Sequence, residues 1–130
     1  MERHRVIVAG FGWRTGANLG AIRSALASAQ QGQPPVTALA APHDKLALVS
    51  PLAEALGVAM IAVSPSALQS SPTPTQSPAS LKARATGSVA EAAALAAAGP
   101  GAWLLTTRHI SPDRTATCAL ARSCTEGPAQ

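Results

Sequence analysis

Three segments of the sequence have residue types and spacings that suit anion binding, and the first of them contains Arg14. This segment is GFGWRTG at residues 10–16, where Gly12 and Gly16 flank the arginine. A guanidinium can hold a carboxylate through two parallel hydrogen bonds, and glycines permit the tight turn that would present it. A plain turn with a solvated arginine fits the same spacing equally well. A dinucleotide site is disfavoured, because the glycine spacing is one residue off the usual fingerprint and a Walker lysine is missing.

The second segment is the run His43, Asp44 and Lys45, which follows a predicted strand. Lys45 can neutralise an anion, and His43 can exchange protons near neutral pH, which makes His43 a candidate catalytic residue. The alternative, which the sequence alone favours, is that Asp44 caps a helix while its two neighbours are solvated.

The third segment, which opens an alanine-rich helix, contains Gly87, Ser88 and Glu91. Gly87 permits a ligand to approach closely, and the start of a helix carries a partial positive charge. Ser88 and Glu91 have the spacing of a capping box, which we weigh above a role for Glu91 as a catalytic acid or base. The sequence contains no Ser-His-Asp order, metal-ligand spacing or reactive cysteine context. The residues therefore predict an anion site with no metal or cofactor and no convincing catalytic set.

Alternating strands and helices must position these segments. The predicted strands are residues 6–9, 36–40, 58–63, 103–106 and 115–120. The predicted helices are 17–30, 44–56 with a kink or a break into two short pieces at Pro51, and 88–98. We expect residues 10–16 to turn after the first strand, and the proline-rich residues 69–78 to form a long loop or a lid. The alternation predicts an α/β fold, specifically a three-layer α/β/α sandwich with a largely parallel, about five-stranded sheet.

Length and charge limit the classes of partner. The 130 residues suit one domain, which we place at residues 1–122 and follow with a frayed tail at 123–130. The formal net charge of +4 favours an anionic partner. The cations are scattered and only 2% of the residues are aromatic, so a small polyanion is a better candidate than nucleic acid.

The distribution of apolar and cysteine residues indicates a cytoplasmic protein. The alanine-rich stretch is broken by Glu91 and by the Gly-Pro-Gly run at 99–101, so we expect no membrane span. The first ten residues hold too short an apolar run for a signal peptide. Cys118 and Cys124 match no metal or redox spacing and are expected to be reduced thiols.

Taken in order along the chain, these segments resemble the family of CobE and of the C-terminal domain of CbiG, a lactone hydrolase of the anaerobic cobalamin pathway. The matching stretches are GFGWRTG at 10–16, the region of Asp44 and Lys45, TQS at 75–77, GSVAEAAALAAAG at 87–99 and TATCA at 115–119. The resemblance implies an α/β/α fold and a role in building the corrin ring. It implies an anionic tetrapyrrole, a precorrin or corrin intermediate, as the ligand, and other enzymes of the pathway as further partners.

Carried onto this sequence, the resemblance gives a set of expected ligand-binding residues. They are Gly12, Arg14, Gly16, Lys45, Ser77, Gly87, Ser88 and Arg108. The chain departs from the family pattern at Trp13, where relatives often have cysteine, and at Arg108, where many have lysine. The first departure argues against an essential thiol nucleophile, and the second keeps the charge while removing a possible base.

Three hypotheses follow from the residues and the resemblance together. The first is a carrier or accessory protein that binds a polycarboxylate intermediate, with Arg14, Lys45 and the Gly87 helix start as the anion cradle. The second is a hydrolase of the lactone-opening type, in which Glu91 or His43 moves protons. The third is a scaffold for another enzyme of the pathway. Binding is favoured over catalysis, because the sequence contains cationic residues but no complete catalytic set.

Overall fold

Six strands and four helices make up the described part of the computed structural model, which covers residues 7–14, 16–33, 35–70, 89–99 and 101–123. In chain order they are β1 (Ile7–Trp13), α1 (Leu19–Gln30), β2 (Ala38–Pro42), a 3₁₀ turn (Leu46–Leu48), α2 (Ser50–Leu56), β3 (Ala59–Val63), α3 (Pro65–Ser70), α4 (Val89–Ala98), β4 (Trp103–Leu104), β5 (His109–Ile110) and β6 (Ala116–Arg122). In the described ranges, no helix combines the length and the apolar character that a membrane crossing requires.

The strands form one mixed sheet in the order β3-β2-β1-β6, and β4 and β5 pair with the other side of β6. β1 pairs with β2, and β2 with β3, in parallel. β6 runs antiparallel to β1, β4 and β5. The α/β prediction is confirmed, whereas the parallel arrangement holds only for β1 to β3. The difference arises because β5 connects to β6 through a short turn, which permits only an antiparallel neighbour.

β1 lies at the centre of the sheet and contributes alternate residues to two buried clusters. Ile7, Ala9 and Phe11 pack in a cluster with residues of α1 and α2. Val8 belongs to a second cluster, which includes Leu68 of α3 and residues of α4. Because successive side chains of a strand point to opposite faces, the two clusters lie on opposite faces of the sheet.

Helix α1 agrees closely with its predicted pattern. Its buried residues are Ala21, Ile22, Ala25, Leu26 and Ala29. The side chain of Asn18 caps its start and accepts a hydrogen bond of 2.9 Å from the backbone N–H of Ala21. The predicted start at residue 17 was therefore two residues early, because Asn18 occupies the cap.

The predicted segment 44–56 is divided into two short pieces, as one of the two alternatives at Pro51 expected, but its first piece is not α-helical. Residues 46–48 form a 3₁₀ turn, and α2 begins at Ser50 with Val49 as its N-cap residue. Pro51 lies in the first turn of α2. A backbone N–H at that position has no hydrogen-bond acceptor within the helix, so a proline without an N–H is tolerated there. A helix running through Pro51 would lose a hydrogen bond and clash with the preceding turn, so the chain takes the predicted break rather than the kink and begins a new helix at Ser50.

Candidate functional site

The glycine segment at residues 10–16 turns later than the sequence predicted. Residues up to Trp13 belong to β1, with Phe11 opposite Cys118 and Gly12 opposite Thr117 on β6. The turn begins only at Arg14. Neighbouring glycines are a local turn signal, but here a contact with a distant helix decides the backbone conformation.

That helix is α4, which lies directly on β1 at the glycines. A Cβ atom on Gly10 would clash with the backbone of Ala90 and Ala94 and would lie 2.9 Å from the Cα of Ala94. A Cβ on Gly12 would lie 3.1 Å from the Cβ of Val89. The first turn of α4 is therefore fixed at the carboxyl end of β1, where its positive dipole end faces the strand terminus.

Arg14 follows β1 and is exposed. Its backbone N–H donates a hydrogen bond of 2.9 Å to the carbonyl oxygen of Thr115, and its own carbonyl accepts one of 3.1 Å from Ala17. Gly16 has a φ of +97°, a conformation that favours glycine. The backbone of Arg14 is thus held on both sides while its guanidinium remains accessible to a ligand.

Thr117 and the turn before β6 complete this end of the strand. The hydroxyl of Thr117 donates a hydrogen bond of 3.1 Å to the carbonyl of Gly12. Within the turn, Asp113 accepts hydrogen bonds from the hydroxyls of Ser111 at 2.6 Å and of Thr115 at 2.8 Å. The bond from Ser111, followed by those from Thr115, holds the pKa of the Asp113 carboxyl below its ordinary value of 3.8. We name Gly12, Arg14, Thr117 and the first turn of α4 the β1-end site.

Glu91 lies in the first turn of α4 and is completely buried. Its Oε2 atom accepts a hydrogen bond of 2.9 Å from the backbone N–H of Arg108. Arg108 is half-buried and immediately precedes β5. The structure therefore joins Glu91 to Arg108, 17 residues later in the sequence, while Val89 of the same helix turn lies against Gly12.

His43 and Lys45 lie at the end of the neighbouring strand, and both are exposed. The backbone N–H of His43 donates to the carbonyl of Val63 at 2.9 Å, and that of Lys45 donates to Pro42 at 2.9 Å. Because β1 and β2 are parallel and adjacent, Lys45 lies at the same edge of the sheet as Arg14. Asp44 does not cap α2, since that helix begins after Val49.

Some predicted residues lie outside the described part of the chain. These are Ser77, Gly87, Ser88 and all but the first two residues of the loop predicted at 69–78. Ser88 as capping-box partner of Glu91 therefore stays a prediction.

Cys118 lies on the face of β6 that packs with α1 and α2, and it is completely buried. Burial raises the pKa of its thiol, because the thiolate would be removed from water. A neutral, inaccessible thiol is a packing group and is unsuited to nucleophilic chemistry.

Two residues at this end of the sheet were not predicted: Thr117 as a member of the site, and Asp113 as the centre of its supporting turn. Ser-Pro-Asp is a turn signal with a known mechanism, so the run from Ser111 to Thr115 could have been recognised. Thr117 carried no such signal, because its role depends on the pairing of β6 with β1.

The arrangement can bind carboxylate groups through an exposed guanidinium, the positive end of a helix and neighbouring cations.

Comparison with known proteins shows which family the chain resembles. The family described as Cobalamin synthesis G C-terminus matches residues 7–121. No curated protein sequence matches the chain significantly.

Solved structures of cobalamin biosynthesis proteins resemble the chain over most of its length. CobE, a protein from the cobalamin (vitamin B12) biosynthetic pathway, is 28% identical with a TM-score of 0.83, over 94% of this chain and 93% of CobE. The cobalamin biosynthesis protein chiG from Agrobacterium tumefaciens str. C58 is 32% identical with a TM-score of 0.70, over 92% of this chain and 99% of chiG. A homologue of cobalamin biosynthesis protein G from Sulfolobus solfataricus is 20% identical with a TM-score of 0.70, over 92% of this chain and 37% of that one, and supports the fold alone.

These matches confirm the family resemblance found in the sequence. The chain belongs to the cobalamin synthesis G C-terminus family and is a CobE/CbiG-like protein of cobalamin biosynthesis.

Proposed function

We propose that the protein binds a polycarboxylate precorrin or corrin intermediate at the β1-end site, as a carrier or accessory factor of the pathway. The observation that carries this proposal is the position of Arg14. Its backbone is fixed at the carboxyl end of the central strand, and its side chain is exposed. Corrin precursors carry several acetate and propionate side chains, for which a fixed guanidinium is a suitable partner.

The topology of the sheet supports a ligand site at this place. The chain leaves β1 through α1 to reach β2 on one side, whereas the strands formed last pair on the other side. In open α/β sheets, ligands bind beyond the carboxyl end of the strand at which the order reverses. Arg14 follows that strand, and Lys45 follows its parallel neighbour.

The environment of Glu91 favours binding over hydrolysis. A general acid or base must reach the substrate directly or through one water molecule. Glu91 has no exposed surface, and its Oε2 atom is bonded to the N–H of Arg108. This position suits a structural carboxylate better than a proton-transfer group.

The exposed apolar residues give little support to a scaffold. Among the described residues, the large exposed apolar side chains are Leu56 and Trp103. Leu56 ends the helix before β3, whereas Trp103 lies in β4 at the opposite edge of the sheet. Arg122 also lies over the Trp103 ring, 5.3 Å from its centroid. Two separated residues do not form the continuous patch that a docking surface requires.

The proposal is tested by titrating the protein and its Arg14→Ala variant with ring-contracted and uncontracted precursors, followed by the absorbance of the chromophore. We expect micromolar affinity for one class, and a loss of about tenfold or more in the variant, since a lost charge-assisted hydrogen bond costs roughly 1.5–3 kcal/mol.

The matched control is Arg23→Ala, which removes an exposed arginine from α1. Both variants lower the net charge equally, so a loss confined to the Arg14 variant assigns the binding to the β1-end site. Absence of binding by the unaltered protein, or equal losses in the two variants, would refute the proposal.

A further inference from the structure

We propose that Glu91 is a positioning residue, which ties the Arg108 segment to α4 and so places the Arg108 guanidinium beside the β1-end site. This tether, the hydrogen bond from the Arg108 N–H to the Glu91 carboxylate, does not depend on a ligand. Its importance for binding rests on the proposed function. Glu91 thereby acts through Arg108 and does not contact the ligand.

The composition of α4 first singles out Glu91. The helix reads VAEAAALAAA, and Glu91 is its only polar residue. A helix on the surface of a sheet normally buries apolar residues and exposes polar ones. Here the single carboxylate is completely buried together with Ala90, Ala92, Ala93 and Ala94.

An interruption in the edge of the sheet supplies a hydrogen-bond donor to Glu91. β4 pairs with residues 121 and 122 of β6, and β5 pairs with residues 117 and 118. Between them, the N–H of Leu105 donates to the carbonyl of Leu120 at 2.8 Å, and the hydroxyl of Thr106 accepts from the N–H of Leu120 at 3.2 Å. The chain bulges away from β6 after Thr106, and the N–H of Arg108 points to Glu91 instead.

The cost of burial indicates that this carboxylate has a specific task. A buried carboxylate loses several kcal/mol of hydration, which an apolar residue of similar size would avoid. Part of the cost is offset at Glu91 by the N-terminal position in α4, where the helix dipole favours negative charge. The hydrogen bond to Arg108 offsets a further part and satisfies a backbone donor that the bulge removes from the ladder.

Gly10 makes the tether rigid. Because Gly10 has no Cβ, the backbone of Ala90 lies directly on β1, and the neighbouring residue Glu91 is fixed relative to the strand. Arg108 is thereby held to the same strand that carries Arg14. The backbone positions of Arg14 and Arg108, which come from distant parts of the chain, are therefore both fixed relative to β1.

The binding test compares Glu91→Ala, Glu91→Gln, Arg108→Ala and the double variant Glu91→Ala/Arg108→Ala, each titrated with the precursor that the unaltered protein binds. Removing a negative charge near an anion site strengthens binding if only the net field matters. The positioning role predicts the opposite, a loss in Glu91→Ala of about tenfold, comparable with that of Arg108→Ala. The double variant should bind no more weakly than Arg108→Ala, since both changes act on the same contact, that of the Arg108 guanidinium with the ligand.

Glu91→Gln is the rescue variant, because its amide oxygen still accepts the hydrogen bond although the charge is gone. We expect it to bind at least as tightly as the unaltered protein. Glu54→Ala removes an exposed carboxylate from α2 and controls for the change in net charge. If Glu91→Ala does not fold, Glu91→Asp replaces it: the charge stays, the reach is one methylene shorter, and affinity should fall.

Amide hydrogen exchange tests the tether without any ligand. Loss of the acceptor should accelerate exchange at the Arg108 amide by about tenfold or more, while the Leu105 amide, bonded to Leu120, stays protected. In Glu91→Gln the Arg108 amide should remain protected. Unchanged exchange at Arg108 in Glu91→Ala or Glu91→Asp refutes the tether.

The two experiments separate the inference from the proposed function. If the unaltered protein binds no precursor, the proposed function fails and the exchange result alone decides whether the tether exists. If the precursor binds and the tether exists, but Glu91→Ala binds as tightly as Glu54→Ala, the positioning role is refuted while the carrier function stands.

Discussion

At the scale of single residues, Gly10 and Glu91 each have a structural role that local sequence signals do not indicate. A glycine in GFG indicates a turn, yet Gly10 lies within β1 and admits the backbone of α4. Ser88 and Glu91 have the spacing of a capping box, a pattern that does not predict the complete burial of Glu91. Both roles depend on contacts between distant segments, which local sequence patterns cannot show.

We expect Gly10→Ala to lower the free energy of unfolding by about 2 kcal/mol or more, because overpacking against an unyielding backbone costs roughly 1–3 kcal/mol or above. Urea-induced unfolding measures the change. Gly20→Ala is the control: Gly20 is exposed in α1, where a Cβ would meet only the side chain of Asn18 at 3.2 Å. The free energy of unfolding of Gly20→Ala should stay within about 1 kcal/mol of the value for the unaltered protein. A tolerated Gly10→Ala would contradict the close packing of α4 on β1.

At the scale of elements, most helices and strands could be predicted from their apolar patterns, whereas β5 could not. The apolar stripe of α1 and the alanine run of α4 identified both helices to within two residues. β5 has only two residues, too few for any alternation to be visible. Its pairing is set by the turn that follows it, in which Asp113 is the central acceptor.

We expect Asp113→Ala to lower stability at neutral pH, and the difference from the unaltered protein to shrink in acid. The pKa of Asp113 is depressed in the folded state, chiefly by the hydrogen bond from Ser111. Its contribution is therefore fully present above the ordinary value of 3.8 and is lost as pH falls through the lower folded value. Urea midpoints measured from neutral pH to below pH 3.8 check this. Asp113→Asn, which keeps one acceptor oxygen, should lose less stability than Asp113→Ala. A stability difference between Asp113→Ala and the unaltered protein that grows in acid would contradict the prediction.

At the scale of the whole molecule, charge and topology together favour an anionic ligand at one edge of the sheet. The ten lysines and arginines outnumber the six acidic residues. The family and the α/β class could be predicted from the sequence, since the resembling segments cover nearly the whole chain. The antiparallel position of β6 could not, because a strand pattern does not carry the direction of its partner.

We expect the affinity for a precorrin to fall as salt rises, because exposed cations such as Arg14 and Lys45 are screened over about 10 Å at 0.1 M ionic strength. Chromophore titrations across a salt series measure this. The decrease of affinity with salt concentration should be less steep in Arg14→Ala than in Arg23→Ala. An affinity independent of salt would assign binding to apolar contacts with the macrocycle.

The pairing of β1 with β6 also bears on the order in which the chain folds. Gly12 and Thr117, joined by a hydrogen bond across this pair, are 105 residues apart in the sequence. During synthesis, β1 therefore emerges long before the strand that flanks it, and one side of the central strand stays open until β6 is made. Pairing across such a long sequence separation slows folding and postpones closure of this side of the sheet until β6 has been synthesised. The β1-end site, which shares this strand pair, can form only after β6 has emerged.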